Sequence, residues 1–281
     1  MSGADVLVTG ARGKTGREVA AQLAARGVTV RAGSRTPGAS DGRVRPVVFD
    51  WEAPATWRKA IAGVDAVYLM RPDLADAPDR VAGLLRLNRK AHVVLLSEQG
   101  AETLPDTSWE RRVELAVIEA AATWSLLRPS WFHQVLTDPR YYLEAIREDG
   151  VLPLSSGGAT IAFVDARDIA AVAVAALADP PGHEGAAYTV TGPAALPVSA
   201  VAEMIASATE RPITAIDPPL EQAVAGLAPG MAEIYAGALR LVRAGGCSAV
   251  TADVHRVTGA QPRSLDAFTA EHARLWRKKP G

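Results

Sequence analysis

The chain has 281 residues, 48% hydrophobic and 22% charged, an ordinary globular composition that allows one large domain or two small ones. A formal net charge of −1 gives no basic field to attract nucleic acid or an anionic membrane, and the single cysteine, Cys247, leaves no internal disulfide and no zinc-site spacing. Apolar runs such as "IAAVAVAALA" at 169–178 are too short to span a bilayer, and a strand begins within five residues of Met1, which leaves no room for a signal peptide; the expected location is the cytoplasm.

The first predicted strand is "DVLVTG", a β-branched apolar run ending in glycine. "KTGREVAAQLAARG" follows with helical spacing, placing Val19, Leu23 and Ala24 on one face and Gly27 at the stop. "VTVRAGSR", "RVRPVVFD", "DAVYLM", "AHVVLLS" and "TWSLLRP" read as five further strands, with helices expected over 54–62, 74–90 and 108–122. Strands alternating with helices predict an α/β fold, a Rossmann-type doubly wound parallel sheet. After Pro129 the rhythm changes. "TDPRYYLEAIREDG" predicts a helix, "ATIAFVDARDIAAVAVAALADP" a strand and then a helix, "AAYTVTGP" one more strand, and the last eighty or so residues are mostly helical. The expected division is a dinucleotide-binding core over residues 1–130. Residues 131–281 form a mainly substrate-binding, helix-rich part, with one or two elements returning to the sheet.

Between the first strand and helix lies G-x-x-G-x-x-G, at Gly10, Gly13 and Gly16. The first glycine permits a sharp turn, the second a close backbone approach to a pyrophosphate, the third close helix–sheet packing, and the helix start offers N–H groups and a positive dipole end. The end of the second strand selects the dinucleotide. An acid there would bond the ribose hydroxyls and repel a 2′-phosphate, but the chain has Ser34 and Arg35, with Arg12 and Lys14 adding positive charge in the glycine loop. Guanidinium groups bond phosphate bidentately, so NADPH is the expected cofactor.

"TGARGKTG", "SRTP", "FDWEAPATWRKAIAGVDAVYLMRPDL", "LLRPSWFHQVL", "FVDARDIAAVA" and "GHEGAAYTVTGPAAL" occur in the order found in NmrA-like atypical short-chain dehydrogenases. The chain most resembles the branch named after the ergot-alkaloid biosynthetic reductases, from residue 6 to about 276. The resemblance implies a Rossmann fold and an NADPH-dependent reductase. It implies that Thr9, Gly10, Arg12, Gly13, Lys14 and Thr15 line the pyrophosphate and ribose, and that Ser34 and Arg35 hold the 2′-phosphate. Asp50 and Trp51 would border the adenine. Met70, Arg71 and Pro72 would pass the nicotinamide ribose, with Ser97 closing the fifth strand. Pro129, Ser130, Trp131 and Phe132 would wall the nicotinamide and substrate. Asp50 as a cap for a helix near Pro54, and Trp51 as core, are the alternative readings.

The chain departs from typical short-chain dehydrogenases in one respect. None of Tyr68, Tyr141, Tyr142, Tyr188 and Tyr235 has a lysine four residues on, so the Tyr-x-x-x-Lys proton donor is missing. The candidates left for the chemistry are His133, Ser97 and Trp131. Glu98 and Gln99 follow the fifth strand at its carboxyl end and are candidates for substrate contact. Asp165 and Asp168 read as helix-start charges. The five histidines show no metal spacing, so no metal is expected.

Taken together, the sequence predicts an NADPH-dependent reductase of a small substrate, of the secondary-metabolite, imine or iminium type. It predicts no direct nucleic-acid or membrane partner and allows a homodimer. Two rivals stay open: an NADP-binding redox sensor without turnover, and a non-redox enzyme such as a cyclase or isomerase on the same fold.

Overall fold

The computed structural model describes residues 4–278. The chain divides into two compact units, Met1–Pro129 with Ala166–Thr189, and Ser130–Asp165 with Val190–Gly281.

The first unit is built on a seven-stranded sheet. Its strands are β1 (Asp5–Val8), β2 (Thr29–Ser34), β3 (Val44–Val48), β4 (Ala66–Met70), β5 (His92–Leu96), β6 (Thr123–Pro129) and, later in the chain, β8 (Ala186–Val190). Their spatial order is β3-β2-β1-β4-β5-β6-β8, and pairing is parallel from β3 through β6. All five residues of β5 are buried, which explains its unbroken apolar run. Edge strand β3 tolerates Pro46, which no central strand could carry.

Helices α1 (Gly16–Ala25) and α5 (Ala166–Ala178) pack together on one face of this sheet. Helices α2 (Trp57–Ile61), α3 (Ala77–Leu85) and α4 (Trp109–Ala120) pack together as a second helical layer, and α6 (Pro180–His183) follows α5. Helix α1 buries Val19, Ala20 and Leu23 as a single stripe and stops at Gly27, which has φ +81°. Leu69, Leu84, Leu95, Val117 and Leu126 belong to this unit's core. The strand order reverses between β1 and β4, and in open α/β sheets the ligand crevice lies outside the carboxyl ends at such a reversal.

The second unit has a two-stranded parallel sheet, β7 (Val151–Pro153) with β9 (Thr214–Ile216). Around it lie α7 (Val198–Thr209), α8 (Leu220–Ala223), α9 (Pro229–Arg243), α10 (Asp253–Thr258) and α11 (Leu265–His272). Its core includes Leu152, Phe163, Ile205, Phe268 and Trp276.

Four local expectations change. The helix expected over 74–90 is α3 alone. It starts after Asp76 with Pro78 in its first turn, and it ends where the Asn88 side chain donates to the carbonyls of Ile61 (3.1 Å) and Val64 (2.9 Å). The stretch 54–62 is a 3-10 turn, Pro54–Thr56, that leads into α2. "TDPRYYLEAIREDG" is helical only in its second half, as a π-helical run over Ala145–Asp149 closed by left-handed Gly150. The Asp138 carboxylate accepts the Arg140 amide (2.9 Å) and offers the backbone a competing local bond. "ATIAFV" forms no regular strand, because its amides reach three different segments: Ile161 to Leu196, Ala162 to Cys247 and Val164 to Trp131.

Among the described residues no helix is long and apolar enough to cross a membrane.

Candidate dinucleotide site

Gly10 sits at φ +62°, the left-handed region that glycine alone enters without steric cost. A side chain there would overlap the methyl of Met70, and one at Gly16 would overlap the Gly10 carbonyl. The turn therefore needs these two glycines on steric grounds. Met70 lies over the loop, its sulfur 3.7 Å from where a Gly13 methyl would stand.

The two threonines of the loop turn inward. Thr9 is fully buried. Its hydroxyl accepts the Met70 amide (2.7 Å) and lies within bonding distance of the Tyr68 carbonyl (3.2 Å) and the Met70 carbonyl (3.3 Å), fastening the end of β1 to β4. Thr15 is also buried, and its hydroxyl accepts from the Tyr68 phenol at 2.8 Å. Burial raises the Tyr68 pKa and the Thr15 bond opposes that rise, so this phenol stays protonated. These hydroxyls tie the loop to β4. Helix α1 consequently begins with no side-chain cap, which leaves its amino end to an anion.

At the end of β2 the cations gather. Arg12 Nη1 donates to Thr36 Oγ1 (2.7 Å) and the Thr36 carbonyl (3.2 Å), which holds the loop arginine against the strand end. Arg35 is exposed and makes no ion pair with a described residue. Ser34 ends β2 half-buried, and Lys14 is half-buried in the loop. Asp50 makes a local turn, accepting the Glu52 amide at 3.0 Å; the turn at Pro54 has Ala53 in the cap position, so Asp50 is not its cap. Trp51 is half-buried between Phe49 (5.0 Å) and Trp57 (5.7 Å), both edge-on.

Across the carboxyl ends of β4 and β5, two of the candidate residues pair with each other over a third residue, Trp109, that no sequence pattern marks. Arg71 Nη2 pairs with Glu98 Oε2 at 2.5 Å, and the guanidinium lies 4.6 Å over the Trp109 ring. The Trp109 indole N–H is held in turn by the Leu74 carbonyl at 2.7 Å. Arg71 Nε is buried without a partner. Burial pushes the Glu98 carboxyl above its ordinary range, Arg71 opposes this, and Glu110 and Asp73 add to the rise. Pro72 is buried beside this group.

Ser97 is committed elsewhere. Its hydroxyl donates to Glu114 Oε1 at 2.7 Å. Fully buried Glu114 also takes two bonds from Arg128 (both 2.9 Å) and one from Arg111 (2.7 Å). Burial works to raise the Glu114 pKa, but the bonds from Arg128, Ser97 and Arg111 outweigh it and hold the carboxyl below its usual range. A hydroxyl whose proton is given to a buried carboxylate is a poor proton donor to anything else.

In the second unit, His133 is fully buried. Its Nε2 donates to the Phe163 carbonyl (3.2 Å), its Nδ1 lies 3.8 Å from Asp165 Oδ2, and its ring packs 5.1 Å from Phe268. That is the setting of a core histidine, in which the ring fills space rather than facing solvent as a proton donor. Trp131 is half-buried, 6.2 Å from Tyr235, with its indole N–H buried and unpaired. Phe132 is half-buried, while Pro129, at the end of β6 in the first unit, and Ser130 are buried. The Tyr142 and Tyr235 phenols bond each other at 2.8 Å across 93 residues of chain, a pairing no sequence pattern signals.

A parallel sheet reversed at β1/β4, an uncapped helix start behind a glycine turn and a cationic strand end define a dinucleotide-binding protein. Residues 10–180 match the NAD(P)H-binding family. The chain is 34% identical to the (4-alkanoyl-5-oxo-2,5-dihydrofuran-3-yl)methyl phosphate reductase of Streptomyces griseus, over 95% of this chain and 98% of that protein. It is 28% identical to the festuclavine dehydrogenase of Aspergillus fumigatus, over 97% and 99%. An NADPH-dependent quinone oxidoreductase from Escherichia coli, solved with NADPH, shares the fold with TM-score 0.80 and 20% identity, over 95% of this chain and 99% of that one. The chain belongs to the NAD(P)H-binding family, and it is similar along nearly its whole length to proteins named as a reductase and as a festuclavine dehydrogenase.

Proposed function

We propose that the protein is an NADPH-dependent reductase of a small, secondary-metabolite-type substrate whose acceptor is an imine or iminium carbon. The observation that carries the cofactor choice is the end of β2, where Arg12 is fastened to Thr36 and Arg35 makes no ion pair with a described residue. That arrangement suits a 2′-phosphate and offers no carboxylate to a free 2′-hydroxyl. The backbone of Gly10, Arg12, Gly13 and Lys14 would receive the pyrophosphate, with Asp50 and Trp51 toward the adenine and Met70 and Arg71 toward the nicotinamide ribose. When bound, the reduced dinucleotide supplies the hydride.

The phenol, hydroxyl and imidazole donors that could serve a carbonyl reduction are missing or engaged. Reduction of a ketone develops an alkoxide, which requires a proton or preorganised donors. The chain has no tyrosine–lysine pair, the Ser97 hydroxyl is given to Glu114, and His133 is enclosed. An N-alkyl iminium ion brings its own positive charge and needs only placement. Two relatives named as a reductase and a dehydrogenase support turnover.

The test is steady-state loss of reduced-nicotinamide absorbance against matched iminium ions, ketones and enones. The reading expects the iminium ions to be reduced fastest. A ketone reduced faster than every iminium ion overturns the acceptor class. Tight NADPH binding with no turnover on the whole panel favours the sensor reading instead.

A further inference from the structure

We infer that Glu98, held by Arg71 on the face of Trp109, is the general acid that protonates a neutral imine nitrogen before hydride transfer. The inference rests on the reductase reading above.

Glu98 follows β5 by two residues, and Met70 at the end of β4 is in register with Leu96. The glycine turn lies at the end of β1, two strands away, which is roughly 10 Å at the spacing of paired strands. Both stand at the carboxyl edge where such sheets bind ligands.

Glu98 Oε2 is fixed by Arg71 at 2.5 Å, while no described group bonds Oε1. The carboxyl is thus oriented with one oxygen in reserve. Its surroundings work in opposite directions. Burial, Glu110 and Asp73 favour the protonated form, and Arg71 favours the carboxylate. A group so balanced can hold a proton and also release it, because Arg71 stabilises the anion left behind. Arg71 itself cannot drift, since Trp109 lies under it and the Leu96 carbonyl accepts from Nη1 at 3.4 Å.

The step balances. The Glu98 carboxyl proton goes to the imine nitrogen and gives an iminium ion and a carboxylate. The reduced nicotinamide dinucleotide supplies two electrons and one hydrogen to the carbon. The products are the amine and the oxidised dinucleotide, and Glu98 regains its proton from solvent. The inference extends the substrate class to protonatable imines, which an enzyme without an acid would reduce poorly at neutral pH.

The experiment compares a neutral cyclic imine with its N-methyl iminium analogue in the parent protein and in Glu98→Gln. General acid catalysis contributes about 10²–10⁴-fold, so the ratio of imine to iminium kcat/KM should fall by at least about a hundredfold in the variant. Independently of activity, infrared titration of the parent protein should show a carboxyl band with a midpoint above 4.5 that is missing in Glu98→Gln. In Arg71→Met, which removes the opposing charge, that midpoint should move upward. An unchanged imine-to-iminium ratio, or no carboxyl band lost with Glu98, overturns the inference. A parent protein that reduces neither compound overturns the reductase reading beneath it.

Discussion

Gly16→Ala tests whether the opening turn is built as described. The variant adds one methyl group. It would overlap the Gly10 carbonyl oxygen and stand 2.8 Å from its carbon, about half an ångström short of ordinary contact. The obstacle is backbone, and Gly10 is already left-handed, so neither side yields without moving the start of α1. Overpacking of this kind costs about 1–3 kcal/mol, and a Gly→Ala exchange returns about 0.4–1 kcal/mol by restricting the unfolded chain. The expected net loss is about 1–2 kcal/mol, read as a lower urea midpoint. The same displacement moves the helix-start amides away from the pyrophosphate. Loss of about 1.4 kcal/mol there is tenfold in Kd for NADPH by calorimetry. Gly27→Ala is the control. Nothing lies within 4 Å of its added methyl, but its φ of +81° strains any side chain. It should therefore lower stability by about 1 kcal/mol and leave NADPH affinity alone. Gly16→Ala with the parent's urea midpoint and NADPH affinity would refute this account of the turn.

Two further outcomes are expected from buried charge. His92 is enclosed between Thr123 and Ser125, at 3.1 Å from each, and burial with the neighbouring His183 lowers its pKa to about 4. Between pH 6.5 and 4 the unfolded chain therefore binds a proton that the folded chain refuses, so stability is lost as pH falls through that window, by about 3 kcal/mol at most. Urea midpoints at pH 7 and 5 should show the drop, and His92→Gln should flatten it; an equal drop in the variant contradicts the assignment. Glu114→Gln removes a buried charge from between Arg111 and Arg128 and should cost about 3–5 kcal/mol in urea unfolding. A cost under about 1 kcal/mol would mean the network is not stabilising at the level its geometry indicates.

The fold was readable because its signals are local. Apolar runs such as "HVVLL" and the stripe of α1 are set by burial on a sheet, and burial recurs with a period the sequence displays. The glycine turn was readable for a related reason: steric overlap permits only one residue type there. The expectations that changed depend on partners far away in the chain. Nothing near Ser97 announces that Glu114 takes its hydroxyl proton, and nothing near His133 announces that Phe163 and Phe268 enclose it. The Arg71–Glu98–Trp109 group joins three segments across 38 residues, each ordinary alone. The helix in "TDPRYYLEAIREDG" starts later than its composition suggests, where the Asp138 carboxylate takes the Arg140 amide in a local bond.

The most direct measurement of the central claim is calorimetric titration of the parent protein and Arg35→Ala with NADPH and with NADH. A charge-assisted contact to the 2′-phosphate is worth about 1.5–3 kcal/mol, so the parent should bind NADPH at least about tenfold more tightly than NADH. Arg35→Ala should lose most of that preference while NADH affinity stays within about threefold of the parent, well below the effect of one such contact. Equal affinity of the parent for the two dinucleotides, or unchanged NADPH affinity in Arg35→Ala, would contradict the account.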